Sequence, residues 1–170
     1  MAEYRPLSIT IPNVVTAAKK ACVNKGGVLY PVLCQSQTVK ITFQWTHEYI
    51  TYHHYYTIFV KLEWVGGSVK DRFDVELNWI FGSYSSTGYE KKVTLKASST
   101  SVTSSSYKFD TGFNTGSYGI CQAQYMYWKH DGVGDYIANY GSSSISLGAS
   151  SGTKTQTITL SNLNRVKLVI

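Results

Sequence analysis

The chain has 170 residues, of which 43% are hydrophobic and 15% are charged, and its formal net charge is +6. This length suits one domain with its own hydrophobic core, and the charge is far from the basic tract of a dedicated nucleic-acid-binding protein. The 14 tyrosines, together with many Ser, Thr and Gly residues, predict a surface of hydroxyl groups and aromatic edges rather than of Lys–Glu pairs.

Residues 1–27 are predicted to form an N-terminal arm with a short helix. Asn13 is a suitable N-cap for the segment VVTAAKKACVNK, and two glycines follow it as a stop signal. The arm is modestly basic, which suits contact with nucleic acid or with an acidic neighbour, although its side chains can also be simply solvated. Its basic residues are Arg5, Lys19, Lys20 and Lys25. No hydrophobic signal segment is recognised, and no apolar run approaches the roughly 20 residues of a membrane span.

Residues 38–64, TVKITFQWTHEYITYHHYYTIFVKLEW, alternate apolar and polar side chains from end to end. The apolar residues have odd numbers from Val39 to Tyr49 and even numbers from Ile50 to Trp64. A shift of one residue turns every side chain to the opposite face, so a bulge or tight turn is predicted between residues 47 and 53. At about 3.3 Å per residue this segment is too long for one strand, so two strands are predicted.

Further strands follow, joined by turns rich in Gly and Ser. Alternation predicts strands at residues 73–81, 92–97, 107–113, 117–128, 155–160 and 165–170, with loops at 82–90, 98–106, 130–135 and 141–152. Residues 117–128 have apolar side chains in both phases, as a central strand covered on both faces does. No βαβ spacing occurs, so the sheets are predicted to be antiparallel. The prediction is an all-β chain in which residues 28–170 form a single-domain β-sandwich, either a jelly roll or immunoglobulin-like.

The motifs of catalysis are missing from the sequence. It has no glycine-rich phosphate loop and no arrangement of residues that suggests an activated nucleophile, so no enzyme is predicted. His47 and Glu48 do not continue into a metalloprotease motif, because position 51 is Thr. Together with His54 they could bind a metal at the predicted bulge, although structural or surface histidines are far commoner.

Two carboxylates, Asp74 and Glu76, share the polar face of one predicted strand. Their separation of about 7 Å is compatible with glycosidase chemistry. Lys92 and Lys96 offer a simpler role, because they would pair with the carboxylates if they lie across from them. The three cysteines, at positions 22, 34 and 121, leave at least one thiol unpaired, show no zinc-site spacing and are interpreted as buried thiols.

Tyrosines in the predicted loops are candidates for ligand or neighbour contact. They are Tyr84, Tyr89, Tyr136 and Tyr140. Exposed aromatic rings among Ser and Thr can stack on sugar rings, as in carbohydrate-binding β-sandwiches, or can cover the ends of the sheets.

The Tyr-, Ser- and Thr-rich segments TYHHYYTIFV and ICQAQYMYW, the low charge and the lack of a recognised signal peptide resemble the small β-sandwich shell subunits of viruses, in particular those that infect thermophilic archaea. The resemblance is one of composition, covers residues 28–170 and includes no diagnostic motif.

This resemblance implies a capsid or virion subunit without enzymatic activity or cofactor, made in the host cytoplasm and located in the virion. Its partners would be copies of itself and other virion proteins. Some such subunits turn a basic arm toward the genome, which would place the four basic residues of the arm against nucleic acid. The alternative is a module that binds carbohydrate or a host surface, such as a fibre, pilus or adhesin domain.

Overall fold

The computed structural model describes residues 22–23, 37–66, 72–83, 86–113, 118–131, 134–139, 144–160 and 167–168. These residues form strands and no helix. The strands are β1 (Cys22–Val23), β2 (Gln37–Ile50), β3 (His53–Val65), β4 (Asp74–Ser83), β5 (Ser86–Leu95), β6 (Ser101–Thr103), β7 (Tyr107–Phe113), β8 (Gly119–His130), β9 (Gly134–Asn139), β10 (Ile145–Gly148), β11 (Gly152–Leu160) and β12 (Lys167–Leu168).

The longer strands form two five-stranded antiparallel sheets. The first sheet has the order β11-β2-β3-β6, with β7 also beside β3, and the second has the order β10-β8-β4-β5, with β9 also beside β8. Strands β1 and β12 form a separate pair. The chain changes from one sheet to the other after β3, β5, β7 and β10. The prediction of an antiparallel all-β fold is confirmed.

The first hairpin, β2–β3, explains the change of phase in the sequence. Its turn consists of Thr51 and Tyr52, which have positive φ angles of 51° and 63°, as the tight type I′ turn requires. Ile50 pairs with His53 across this turn. Buried positions therefore have odd numbers on β2 and even numbers on β3, and the predicted tight turn is confirmed.

The buried faces of the two sheets share one hydrophobic core. Aromatic rings meet between the sheets: the centroids of Phe43 and Trp79 lie 5.8 Å apart, and those of Phe81 and Phe109 lie 5.2 Å apart. The arrangement is sandwich-like, and burial of these large side chains is the main term that stabilises it.

A bulge in β8 accounts for the apolar residues in both phases of that strand. Asn78 of β4 pairs with Tyr125, whereas the next residue, Trp79, pairs with Ala123, so Gln124 is an extra residue. Ala123 and Met126 are both fully buried on either side of this bulge. The bulge explains the change of phase between Ala123 and Met126. Before the bulge, the neighbouring residues Ile120 and Cys121 are both buried, so this part of the strand is covered on both faces, as predicted.

Other predictions of local structure are corrected. Cys22 and Val23, near the end of the predicted helix, form strand β1 with Leu168 and Lys167, and the rest of that helix lies outside the described residues. The predicted loop at 82–90 is largely a continuation of β4 and the start of β5, and the loop at 98–106 contains β6. Ser, Thr and Tyr are compatible with a strand at a sheet edge, so composition alone did not separate strand from loop there.

Candidate functional site at the first hairpin

The end of the first hairpin exposes large apolar side chains. Tyr49, Ile50 and Tyr52 are 49%, 52% and 59% exposed. In the part of the chain that the structure describes, the other large hydrophobic side chains that are exposed are Val65 and Tyr89. We refer to residues 49–52 as the hairpin tip. Its exposed apolar surface is the first feature that points to an interaction.

Two histidines meet next to the hairpin tip. Nε2 of His47 lies 2.7 Å from Nδ1 of His54. His54 pairs with Tyr49, and His47 pairs with Tyr56, so the two histidines are diagonal neighbours on the inward face of the hairpin. His54 is only 5% exposed.

Three tyrosine rings surround the two imidazole rings. The centroid of Tyr49 lies 4.7 Å from that of His54, the centroid of Tyr56 lies 5.0 Å from that of His47, and the centroid of Tyr118 lies 5.1 Å from that of His54. We call these five residues the histidine cluster. Sequence spacing alone does not predict this cluster, because it forms only when the turn at residues 51–52 sets the register of the hairpin and Tyr118 packs against it.

The hydrogen bond between the imidazole rings restricts their protonation. One ring nitrogen donates its N–H and the other accepts with a lone pair, so at least one of the two rings is neutral. Burial, followed by the charge that His54 can carry, lowers the pKa of His47 below its ordinary value. The pair is therefore held in a state with no more than one positive charge.

The alternative of a metal bound by His47, His54 and Glu48 does not fit the geometry. Glu48 is exposed on the opposite face of the hairpin from His47 and His54, so the carboxylate cannot join the two rings. Two nitrogens bound to one tetrahedral zinc ion would lie about 3.3 Å apart, which is wider than the separation seen here. No third His, Cys, Asp or Glu of the described residues completes a metal-binding group. The geometry fits a shared proton better than a shared metal.

The histidine cluster lies where the hairpin contacts the connection between β10 and β11. Nε1 of Trp45 donates to the backbone oxygens of Leu147 and Ser150, at 3.2 and 3.0 Å. The backbone N–H of His47 donates to Oγ of Ser151 at 2.9 Å, and the hydroxyl of Tyr56 donates to the backbone oxygen of Gly148. Side chains and backbone of the hairpin thus fix this connection at several points.

The carboxylates Asp74 and Glu76 have structural partners. Asp74 accepts a hydrogen bond from the backbone N–H of Ala97 at 2.7 Å and lies 3.5 Å from Nζ of Lys96, as the sequence predicted for Lys96. Glu76 instead lies 3.6 Å from Nζ of Lys129. Lys92, the other lysine predicted to pair with these carboxylates, lies opposite Asn78.

The outward face of the second sheet contains a polar cluster that sequence reasoning missed. Asn78 is fully buried, and its amide donates to Oε1 of Glu90 and, at 3.3 Å, to the hydroxyl of Tyr125. The rings of Tyr125 and Tyr127 meet edge to face at 5.2 Å. Desolvation, followed by the neighbouring Tyr127 and the carboxylates of Glu90 and Glu76, raises the pKa of Tyr125.

The other predicted site residues are not brought together among the described residues. Tyr89 lies in strand β5 rather than in a loop, and its ring stacks on Phe81 at 5.2 Å. Tyr136 also lies in a strand, β9, and its side chain is outside the described residues. Also outside them are Tyr84, Tyr140, Arg5, Lys19, Lys20 and Lys25.

Of the predicted buried thiols, that of Cys121 lies in the core and is not in a disulfide. Burial raises its pKa well above the ordinary value, which makes the thiol a poor nucleophile. The side chains of Cys22 and Cys34 lie outside the described residues.

Comparison with known proteins gives no relative for this chain: no protein-family model, no curated protein and no solved structure matches it. A search of the described residues for membrane-spanning helices finds none of the required length and hydropathy.

Proposed function

We propose that this protein is a structural subunit that assembles with copies of itself, and that it serves as a capsid or virion subunit in the manner of the viral shell proteins it resembles. The observation that carries the assembly proposal is the hairpin tip, where Tyr49, Ile50 and Tyr52 expose about half of their surface or more. Clustered exposed apolar side chains are typical of protein–protein contact sites. The virion location, the other virion proteins as partners and the absence of a cofactor are part of the same proposal.

The hairpin tip is well suited to contact a neighbouring subunit. It ends a hairpin whose strands pair without interruption from Thr38–Val65 to Ile50–His53, so little order has to be gained on binding. Tyrosine contributes a large contact area at a low cost in conformational entropy. A contact made by one hairpin tip buries only a small surface area, so a stable shell would need many such contacts or additional interfaces.

Of the two topologies predicted for the sandwich, we propose the immunoglobulin-like one. The strand order supports this choice. In one sheet β2-β3-β7 corresponds to the order A-B-E of immunoglobulin-like domains, and in the other β5-β4-β8-β10 corresponds to C′-C-F-G. In this assignment β11 is an additional strand beside β2, which corresponds to strand A. This order differs from that of a jelly roll, which is the other predicted topology.

The assembly proposal is tested by a tip variant with a matched control. The full chain and the double variant Ile50→Thr, Tyr52→Ser are compared by sedimentation velocity and negative-stain electron microscopy over a range of salt and protein concentrations. We expect regular oligomers of the unmodified chain and a shift of at least tenfold in the concentration at which the variant assembles. Val65→Thr, which changes another exposed apolar residue of the same hairpin, should assemble as the unmodified chain does. A monomeric unmodified chain under all conditions, or a tip variant that assembles normally, would refute the proposal.

The second candidate function is the binding of carbohydrate or of a host surface. It is favoured by the polar cluster around Asn78, because Tyr125, Tyr127 and Glu90 place aromatic edges and hydrogen-bonding groups on one sheet face. A glycan array with the full chain tests it. Binding that is lost in Tyr127→Ala but retained in the tip variant would favour this function over assembly.

A further inference from the structure

We propose that His47 and His54 form an acid-sensitive switch that controls how the first hairpin packs on the connection between β10 and β11. The inference concerns a single copy of the chain and does not depend on the proposed assembly.

The geometry of the pair admits one added proton but not two. The hydrogen bond of 2.7 Å between Nε2 of His47 and Nδ1 of His54 needs a lone pair on one ring. A second proton would place two positive rings at that distance, where each repels the other and neither can accept the bond. His54 is buried, so its ring cannot turn into water without opening the cluster.

No counter-charge among the described residues faces the pair. The groups that do face it are the phenol rings of Tyr49 on β2, of Tyr56 on β3 and of Tyr118 before β8. From β7, the hydroxyl of Thr111 donates to the backbone oxygen of His54 at 3.4 Å. From the β10–β11 connection, Ser151 contributes a hydroxyl.

Charged groups lie on the other face of the hairpin. Glu48 is exposed there, and Oδ2 of Asp110 lies within hydrogen-bond distance of Nδ1 of His53, at 2.8 Å. His53 and His54 are adjacent on a strand, so their side chains lie on opposite faces. A carboxylate thus lies beside His53 on the outward face, whereas none of the described carboxylates is in contact with the His47–His54 pair on the inward face.

The direction of the pH effect follows from burial. The pKa of His47 is lowered in the folded chain, so the unfolded chain binds the proton more readily. The contribution of His47 to stability is complete above its unfolded pKa of about 6.5. It is lost as the pH falls from there toward the lower pKa of the folded state.

If the imidazole rings of His47 and His54 separate, the hydrogen bonds between the hairpin and the β10–β11 connection are weakened. His47 lies between Trp45 and Tyr49 on the inward face of β2, and its backbone N–H holds Ser151. Trp45 and Tyr56 hold the same connection through Ser150 and Gly148. As the pH falls toward the lowered pKa of His47, these contacts loosen, while the opposite end of the hairpin, where Nε1 of Trp64 donates to the backbone oxygen of Lys96, stays in place.

Two tryptophan indoles report on the two ends of the hairpin in one experiment. Indole N–H signals of the full chain are followed by NMR from pH 8 to pH 5, together with the histidine ring signals. We expect the Trp45 signal to shift and to exchange faster with water in step with His47, while the Trp64 signal stays constant. In His47→Gln, which keeps a donor for His54, the response of Trp45 should disappear.

His53→Gln is the matched control, since it removes a histidine from the same hairpin but from the opposite face, and it should retain the Trp45 response. If His54→Gln folds, the pKa of His47 should rise in it toward the ordinary value, because a neighbouring ring is gone. A Trp45 response that persists unchanged in His47→Gln, or protonation of both rings without any change at Trp45, would overturn the proposal.

Discussion

Buried polar side chains in this protein connect strands that are distant in sequence. Gln37, at the start of β2, accepts a hydrogen bond at 3.0 Å from the backbone N–H of Phe73, just before β4, and so ties the first sheet to the second. His54 is bound to His47 within the first sheet, and Asn78 connects β4 to β5 and β8. Each of these groups is buried, so removing its partner costs the desolvation of the group that remains.

Asn78→Ala tests this at the residue scale. The substitution removes a fully buried side chain, opens a small cavity between β4, β5 and β8, and takes a hydrogen-bond donor from Tyr125, so we expect the free energy of unfolding to fall by about 1–3 kcal/mol. Urea unfolding followed by tryptophan fluorescence measures it. Lys92→Ala, opposite Asn78 on β5 and exposed, should change stability by no more than about 0.5 kcal/mol. Equal midpoints for the two variants would contradict the structural role of Asn78.

Among the elements, the first hairpin is the one that its own sequence defines best. Alternation over 27 residues marks both strands, and the change of phase marks the turn, because both signals are local. The turn residues themselves did not indicate a type I′ turn, because Thr51 and Tyr52 adopt positive φ angles although neither is Gly, Asn or Asp. A β-branched residue in that region is strained by about 1–3 kcal/mol.

Relief of this strain is the prediction at the scale of the element. We expect the double substitution Thr51→Asn, Tyr52→Gly to stabilise the chain by about 1 kcal/mol, because Asn-Gly favours the type I′ turn and outweighs the entropy that Gly adds to the unfolded chain. Urea unfolding measures the gain. Tyr52→Ser alone keeps a non-glycine residue at positive φ and should give no such gain. A less stable double variant would show that the tyrosine ring stabilises the turn more than its backbone strains it.

At the scale of the whole molecule, two surfaces are suited to contact with partners. The exposed hairpin tip favours neighbouring copies, and the face around Asn78 favours polar ligands. The basic arm of residues 1–27 remains a prediction from the sequence, since its charged residues lie outside the described residues.

Salt dependence tests the contact of this arm with nucleic acid. If its four basic residues each neutralise one phosphate, their replacement by Gln should reduce the slope of log Kd against log salt for duplex DNA by about 3.6. Fluorescence anisotropy with the full chain measures the slope. The matched control removes the same charge from exposed strand or turn positions, with Gln at Lys92, Lys96, Lys108 and Lys154. Equal slopes for the two variants would refute a specific role of the arm.

The sequence alone determined the all-β class, the antiparallel pairing and the change of phase at the first turn, because a period of two is a local property of the chain. Only the tertiary structure decided what depends on distant partners. The bulge at Gln124 appears when β8 is set against β4, Tyr89 joins a strand because β5 pairs with β4, and Cys22 becomes extended beside Leu168. The meeting of His47 with His54 follows from the register of the hairpin. The ring of Tyr118, which precedes β8 of the second sheet, packs on the buried ring of His54. This contact therefore depends on the packing of the two sheets.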